Sequence, residues 1–172
     1  MQNLSEHATI YIPLDESSIK GTVQIVHGMA EHQRRYKDFA EFLKSNGYVV
    51  VTSDLRGHGE NVTIDEELGY FGQNGAANLV GDVHEITRYI KEKFPGVPYF
   101  LFGHSMGTLI STIYFKKYDS FIDGLFLSGM PGHKGGSSLS SQMLDIMISS
   151  KGEYYRSQFI DNMVNGPFSR PF

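Results

Sequence analysis

The chain of 172 residues has no cysteine and no tryptophan. Without cysteine there is no disulfide framework, no thiolate nucleophile and no cysteine-ligated metal. Basic residues never run longer than a pair, and the formal net charge is −4. Nothing therefore argues electrostatically for nucleic acid or an anionic membrane surface as a partner. No apolar stretch approaches the roughly 18 residues of a membrane span. Met1 to His7 lack the charged start and apolar core of a secretory signal. These absences predict a soluble, cytoplasmic protein with no integral membrane segment. In such a protein the sequons at Asn3 and Asn61 are chance matches. What is present is ordinary globular material, 40% hydrophobic, enough for one domain with a real core.

Short apolar runs alternate with helical patterns. Residues 8–13 suggest a leading strand or hairpin, and Thr22 to Val26 a β-branched strand ending at His27-Gly28. From Arg34 to Asn46, Tyr36, Phe39, Ala40 and Leu43 fall on one helical face, with Gly47 placed as a C-cap. Tyr48 to Thr52 is continuously apolar or β-branched, as a strand covered on both faces of a parallel sheet requires. Gly75 to Phe94 reads as a second helix with Leu79, Val83, Ile86 and Ile90 on one face and Pro95-Gly96 as its stop. Pro98 to Phe102 is a further strand, and Ile122 to Ser128 another. Alternation of this kind predicts an α/β fold, a mostly parallel sheet with helices on both faces. The composition changes at Gly129, so residues 1–129 are expected to form the core. Residues 130–172 are expected to begin a helical cap, with Leu139, Met143, Ile146 and Met147 on one face.

Between the Pro98–Phe102 strand and the apolar run from Met106 to Phe115 lies Gly103-His104-Ser105-Met106-Gly107. A strand that ends in Gly-x-Ser-x-Gly and turns directly into a helix is the nucleophile elbow of α/β-hydrolases. The turn is tight enough to need glycine on both sides of the serine, and the following helix N-terminus favours developing negative charge. The helix itself is apolar nearly all round, as one enclosed within a fold should be. Ser105 is the candidate nucleophile. The oxyanion donors in such a site are the backbone N–H after the nucleophile, here Met106, and one from the loop after the third strand of the fold. That loop is His27-Gly28-Met29-Ala30, which makes Met29 the second donor. The same segment does not have the spacing of a His-Glu-x-x-His or His-x-x-Glu-His zinc helix. No metal and no cofactor are expected, and Glu31 and His32 are assigned hydrogen-bonding roles at the entrance to the first helix.

Three segments in order, His27-Gly28-Met29-Ala30-Glu31-His32 with Arg35-Tyr36, then Asp54-Leu55-Arg56-Gly57-His58-Gly59, then the elbow, resemble the monoacylglycerol lipase/lysophospholipase (serine aminopeptidase-like) group of α/β-hydrolases. The resemblance spans about residues 20 to 172. It implies a serine esterase acting through an acyl-enzyme on lipid-like esters such as a monoacylglycerol or lysophospholipid, with a cap helix shaping the acyl site. It also implies Ser105 as nucleophile and the N–H groups of Met29 and Met106 as oxyanion hole. Arg56, His58 and His104 would fix loops, and Asp54 would hold the Arg56 loop by hydrogen bonds. An aminopeptidase or other amidase is the alternative within the fold.

The chain departs from that pattern after the elbow. The triad partners follow in the order Ser, Asp/Glu, His, but the only histidine after Ser105 is His133. Asp145 and Asp161 lie in the expected cap, and Asp145 follows His133, the reverse of the expected order. The triad acid and base are thus expected to be missing, as in an N-terminal portion that ends within the cap and is inactive alone. Three readings stay open: a truncated hydrolase, an oligomer in which another chain completes the sheet, and a non-catalytic binding module. The edge of the Ile122–Ser128 strand, or the cap, would then be a site of homodimerisation.

Overall fold

The computed structural model describes residues 8–130. Among these residues five strands form one sheet: β1 (Ala8–Tyr11), β2 (Gly21–Val26), β3 (Tyr48–Ser53), β4 (Tyr99–His104) and β5 (Gly124–Ser128). Their spatial order is β1-β3-β2-β4-β5. Only β1 is antiparallel, pairing Ala8 with Ser53; β3, β2, β4 and β5 run parallel. Among the described residues three α-helices accompany them, α1 (Lys37–Ser45), α2 (Gly75–Lys93) and α3 (Met106–Tyr118).

Side-chain alternation along the strands assigns the helices to faces. Val23, Ile25 and Val50 pack with Tyr36 and Ala40 of the α1 segment. Val49, Val51 and Tyr99 pack instead with Ile86, Ile90 and Phe94 of the α2 segment. Val26 and Leu101 meet Leu79 and Val83 of α2 and Ile110 and Tyr114 of α3. β3 is therefore buried on both sides, with Val49, Val50 and Val51 fully enclosed, which explains its unbroken apolar run. A buried polar tie fixes α2 to the sheet. Gln24 donates to the Val83 carbonyl at 3.1 Å and accepts from the Thr87 and Tyr99 hydroxyls, both at 2.7 Å.

Two expectations need correction. The first helix does not run from Arg34: Gln33–Tyr36 forms a tight 3₁₀ turn before α1 begins at Lys37. Gln33 is tied to Asp54 through its N–H, and the Tyr36 hydroxyl to Glu31, which draws this turn onto the neighbouring loops. Gly47 does cap α1, at φ 90 with its N–H on the Lys44 carbonyl. The second correction concerns α3, which is not apolar all round for the sake of enclosure. Leu109, Ile113 and Phe115 are exposed, as are Phe126 and Leu127 of β5 at the end of the sheet.

The chain divides into two compact units, Met1–Pro131 and Gly132–Phe172. The expected cap helix, together with His133, Asp145 and Asp161, lies outside the described residues. Among the described residues no helix is long and apolar enough to cross a membrane.

Candidate active site

β4 passes into α3 through Ser105 alone, with backbone angles φ 49 and ψ −118. Such a conformation costs a residue with a side chain on the order of 1–3 kcal/mol. Ala30, at φ 58, is the only other non-glycine residue with positive φ among those described. The strain at Ser105 is held from both sides. Its N–H donates to the Ser128 carbonyl at 3.0 Å, and its carbonyl accepts from the Thr108 N–H at 2.9 Å and hydroxyl at 2.6 Å.

The two elbow glycines are required by close approach. A Cβ on Gly103 would come within 2.5 Å of the Gly107 carbonyl oxygen and 2.7 Å of the Ser111 hydroxyl. One on Gly107 would overlap the Val26 carbonyl oxygen at the end of β2. The elbow is thus wedged against the neighbouring parallel strand, which delivers the His27–Ala30 loop beside it. A Cβ on Gly28 would lie 3.0 Å from the Ser105 Cβ. The structure therefore brings the candidate nucleophile and the His27–Ala30 loop together at Gly28; the loop follows β2, the second strand of the described residues.

Polar side chains fix this loop closely. His27, buried, donates from Nδ1 to the Gly28 carbonyl at 2.7 Å, which leaves Nε2 to accept the Leu55 N–H at 2.9 Å. Burial, the dominant influence, lowers its pKa, so the imidazole stays neutral. His58 repeats the pattern, with Nδ1 on the Arg56 carbonyl at 3.0 Å and Nε2 accepting the Ala30 N–H at 3.3 Å. The two rings meet edge to face, 5.2 Å apart. Glu31 turns back on its own loop. Its Oε1 accepts the Gly28 N–H and, at 2.7 Å, the Tyr36 hydroxyl, while Oε2 pairs with Arg35 at 2.9 Å. Burial would raise the Glu31 pKa, but these donors outweigh it and hold the carboxylate below its ordinary value. Burial and that same carboxylate push the Tyr36 hydroxyl upward.

Asp54 hydrogen-bonds the backbone of two loops. It accepts from the Gln33 N–H at 2.7 Å and the Glu60 N–H at 2.9 Å, so it does anchor the loop after β3. Arg56, however, reaches away to Asp82 on α2, with bonds of 2.5 and 2.8 Å. That pairing was missed, although a carboxylate beside the apolar face of Leu79, Val83 and Ile86 is a visible anomaly. His58's bond to Ala30 joins chain segments 28 residues apart and has no local sequence signal. His104 stands 6.4 Å from the Tyr36 ring, and a Cβ on Gly129 would come within 3.2 Å of its Cε1.

Among the described residues nothing hydrogen-bonds the Ser105 hydroxyl, and the Met29 and Met106 N–H groups have no partner. His27 and His58 are committed to backbone groups, and His84 stacks on Tyr118 in the α2–α3 layer, 3.8 Å between ring centres. None of them serves Ser105.

Comparison with known proteins agrees with this geometry. A monoglyceride lipase homolog of Monkeypox virus is 42% identical over 98 residues, covering 55% of this chain and 32% of that protein. The monoglyceride lipase of Mus musculus is 32% identical over 108 residues, covering 63% of this chain and 34% of the relative. The chain thus spans about a third of the length of these relatives. A thermostable carboxyl esterase of Bacillus coagulans, solved in complex with glycerol, superimposes with a TM-score of 0.82 at 30% identity, over 95% of this chain and 54% of that one. A sequence profile of the serine aminopeptidase S33 family matches residues 17–151. That match runs over well more than half of the chain and brackets all three motifs, so the chain has the α/β-hydrolase fold and belongs to the serine aminopeptidase S33 family.

Proposed function

We propose that this chain carries the nucleophile half of a serine hydrolase that cleaves lipid-like carboxylic esters through an acyl-enzyme. One observation carries the reading: Ser105 is held at φ 49 on the strand–helix turn with the Gly28 backbone packed against it. A protein maintains such strain where an exposed hydroxyl must be presented to a substrate. In this reading Ser105 Oγ attacks the ester carbonyl, and the Met29 and Met106 N–H groups donate hydrogen bonds to its oxygen as negative charge develops there. Their lack of other partners among the described residues supports this. The α3 N-terminus adds favourable potential at the same place. The proton passes to a base supplied from outside residues 8–130 and then to the departing alcohol. Water releases the acid by the reverse sequence.

Ester rather than amide cleavage is favoured by the lipases and esterase to which the chain is similar. The family's aminopeptidase description supports an amidase as the second reading. A fluorophosphonate probe tests the nucleophile: labelling that is lost in Ser105→Ala supports an assembled site, whereas no labelling of the 172-residue chain supports a nucleophile without its base. Hydrolysis of p-nitrophenyl esters of increasing acyl length, set against aminoacyl p-nitroanilides, separates the two substrate classes. A protein in which the base is supplied and that still takes no label would favour a non-catalytic binding module instead.

A further inference from the structure

Three consecutive amides in the loop after β2 have different fates. The Gly28 N–H is taken by the Glu31 carboxylate, and the Ala30 N–H by His58 Nε2 at 3.3 Å. Between them the Met29 N–H has no partner among the described residues. A Cβ on Gly28 would lie 3.0 Å from the Ser105 Cβ, so the loop borders the nucleophile there. Without Glu31, the Gly28 amide would be a second free candidate beside Met29 to bind an oxyanion. We propose that Glu31 and His58 are positioning residues. By occupying the flanking amides they select Met29 as the sole loop donor and hold it in register with Ser105. The assignment of Met29 as a donor rests on the serine-hydrolase reading, but the selection of one free amide does not.

The surroundings show why Glu31 can do this beside a site of developing negative charge. Its second oxygen is neutralised by Arg35 at 2.9 Å, and the first also accepts from Tyr36 at 2.7 Å. The carboxylate is therefore ionised and immobile, a fixed acceptor for one amide. Ala30, at φ 58, places the next amide across the loop, where His58 receives it. Since His58 Nδ1 donates to the Arg56 carbonyl at 3.0 Å, its Nε2 is left as an acceptor. The His58 ring is itself stacked on Phe71, 5.8 Å away and nearly coplanar at 11°.

Two measurements test the assignment. Amide hydrogen exchange on the wild-type protein should show Gly28 and Ala30 protected and Met29 exchanging at least about tenfold faster than either. In Glu31→Ala the protection at Gly28 should vanish, and in Glu31→Gln, which keeps an acceptor oxygen, it should largely return. Equal protection at Gly28 in the wild type and Glu31→Ala would overturn the assignment. The second measurement is the rate of fluorophosphonate labelling. It should fall about tenfold to a hundredfold in Glu31→Ala, as for a displaced oxyanion donor, and recover in large part in Glu31→Gln. Labelling of Glu31→Ala at the wild-type rate would also overturn it. If the wild-type chain takes no label, Ser105 lacks its base in this chain, and the exchange pattern alone decides whether Glu31 selects the free amide. Thermal melting of each variant separates these effects from loss of the fold.

Discussion

Gly107 lies on the carbonyl oxygen of Val26 with no room for a side chain, and a Cβ there would also approach the His27 carbonyl oxygen to 2.8 Å. In a helix interior alanine is ordinarily better than glycine by about 1 kcal/mol. Here the obstacle is backbone of an adjacent strand, which cannot move aside. Gly107→Ala is accordingly expected to destabilise the protein by about 2–3 kcal/mol, with a reduced midpoint of urea unfolding and an altered elbow. A stability gain in that titration would contradict the observed wedge of α3 against β2.

Ser105 offers the opposite case. Glycine tolerates φ 49 without strain, so Ser105→Gly should relieve the turn while removing the hydroxyl. The expected gain is about 1 kcal/mol, the strain released less the extra chain entropy lost on folding. Denaturant unfolding measures it, and probe labelling of the same variant should be absent. A variant less stable than wild type would mean that the serine side chain has a stabilising role that outweighs the strain.

Arg56 and Asp82 tie the loop after β3 to α2 through two parallel bonds, with Asp82 nearly buried and Arg56 partly in water. Asp82 supports Arg56 in its charged form, first by hydrogen bonding. Removing the arginine leaves a buried carboxylate without its cation. Allowing for the exposed guanidinium, Arg56→Ala should cost about 1–2 kcal/mol. A double-mutant cycle with Asp82→Asn should then show a coupling well above that of the exposed Arg88–Glu92 pair.

His84 gives the fold a dependence on pH. Burial, then the charges of Arg88 and Lys117, lower its pKa from the ordinary value. It packs against Tyr114, Tyr118 and Phe121. The folded state therefore disfavours the imidazolium that the unfolded chain forms readily. The contribution is fully present above the unfolded pKa of about 6.5 and is lost as pH falls through the lowered folded value. His84→Phe keeps a ring on Tyr118 and removes the titration. Its unfolding free energy should fall less than that of the wild type between about pH 7 and pH 5. Parallel pH profiles for the two proteins would refute the assignment.

How much of this could be read in the sequence depended on the range of the interaction. β3 was legible because burial on both faces leaves a continuous run, Val49-Val50-Val51. The buried face of α2 was legible because Leu79, Val83, Ile86 and Ile90 recur at helical spacing. The elbow was legible because its steric demand falls on adjacent glycines. The bonds from Asp54 to Gln33 and from His58 to Ala30 join segments 21 and 28 residues apart. Local pattern carries no trace of such partners. The first turn before α1 was misread for the same reason, since its 3₁₀ geometry is imposed by Asp54 and Glu31 rather than by its own residues. The apolar residues of α3 were read as enclosed because composition reports preference for burial and not the neighbour that supplies it. Leu109 and Ile113 are in fact open to solvent.

The sheet order β1-β3-β2-β4-β5 has a consequence for how the protein would lose its site. The Met29 loop, the Asp54 loop and the Ser105 turn leave the same ends of β2, β3 and β4, the three adjacent interior strands. Interior strands open only at free energies close to that of global unfolding. The candidate catalytic geometry should therefore survive fraying of β1, whereas fraying of β5 would free the Ser105 N–H from the Ser128 carbonyl. Opening at the β5 end would then loosen the Ser105 turn before the β2 and β3 loops, which leave only with the core.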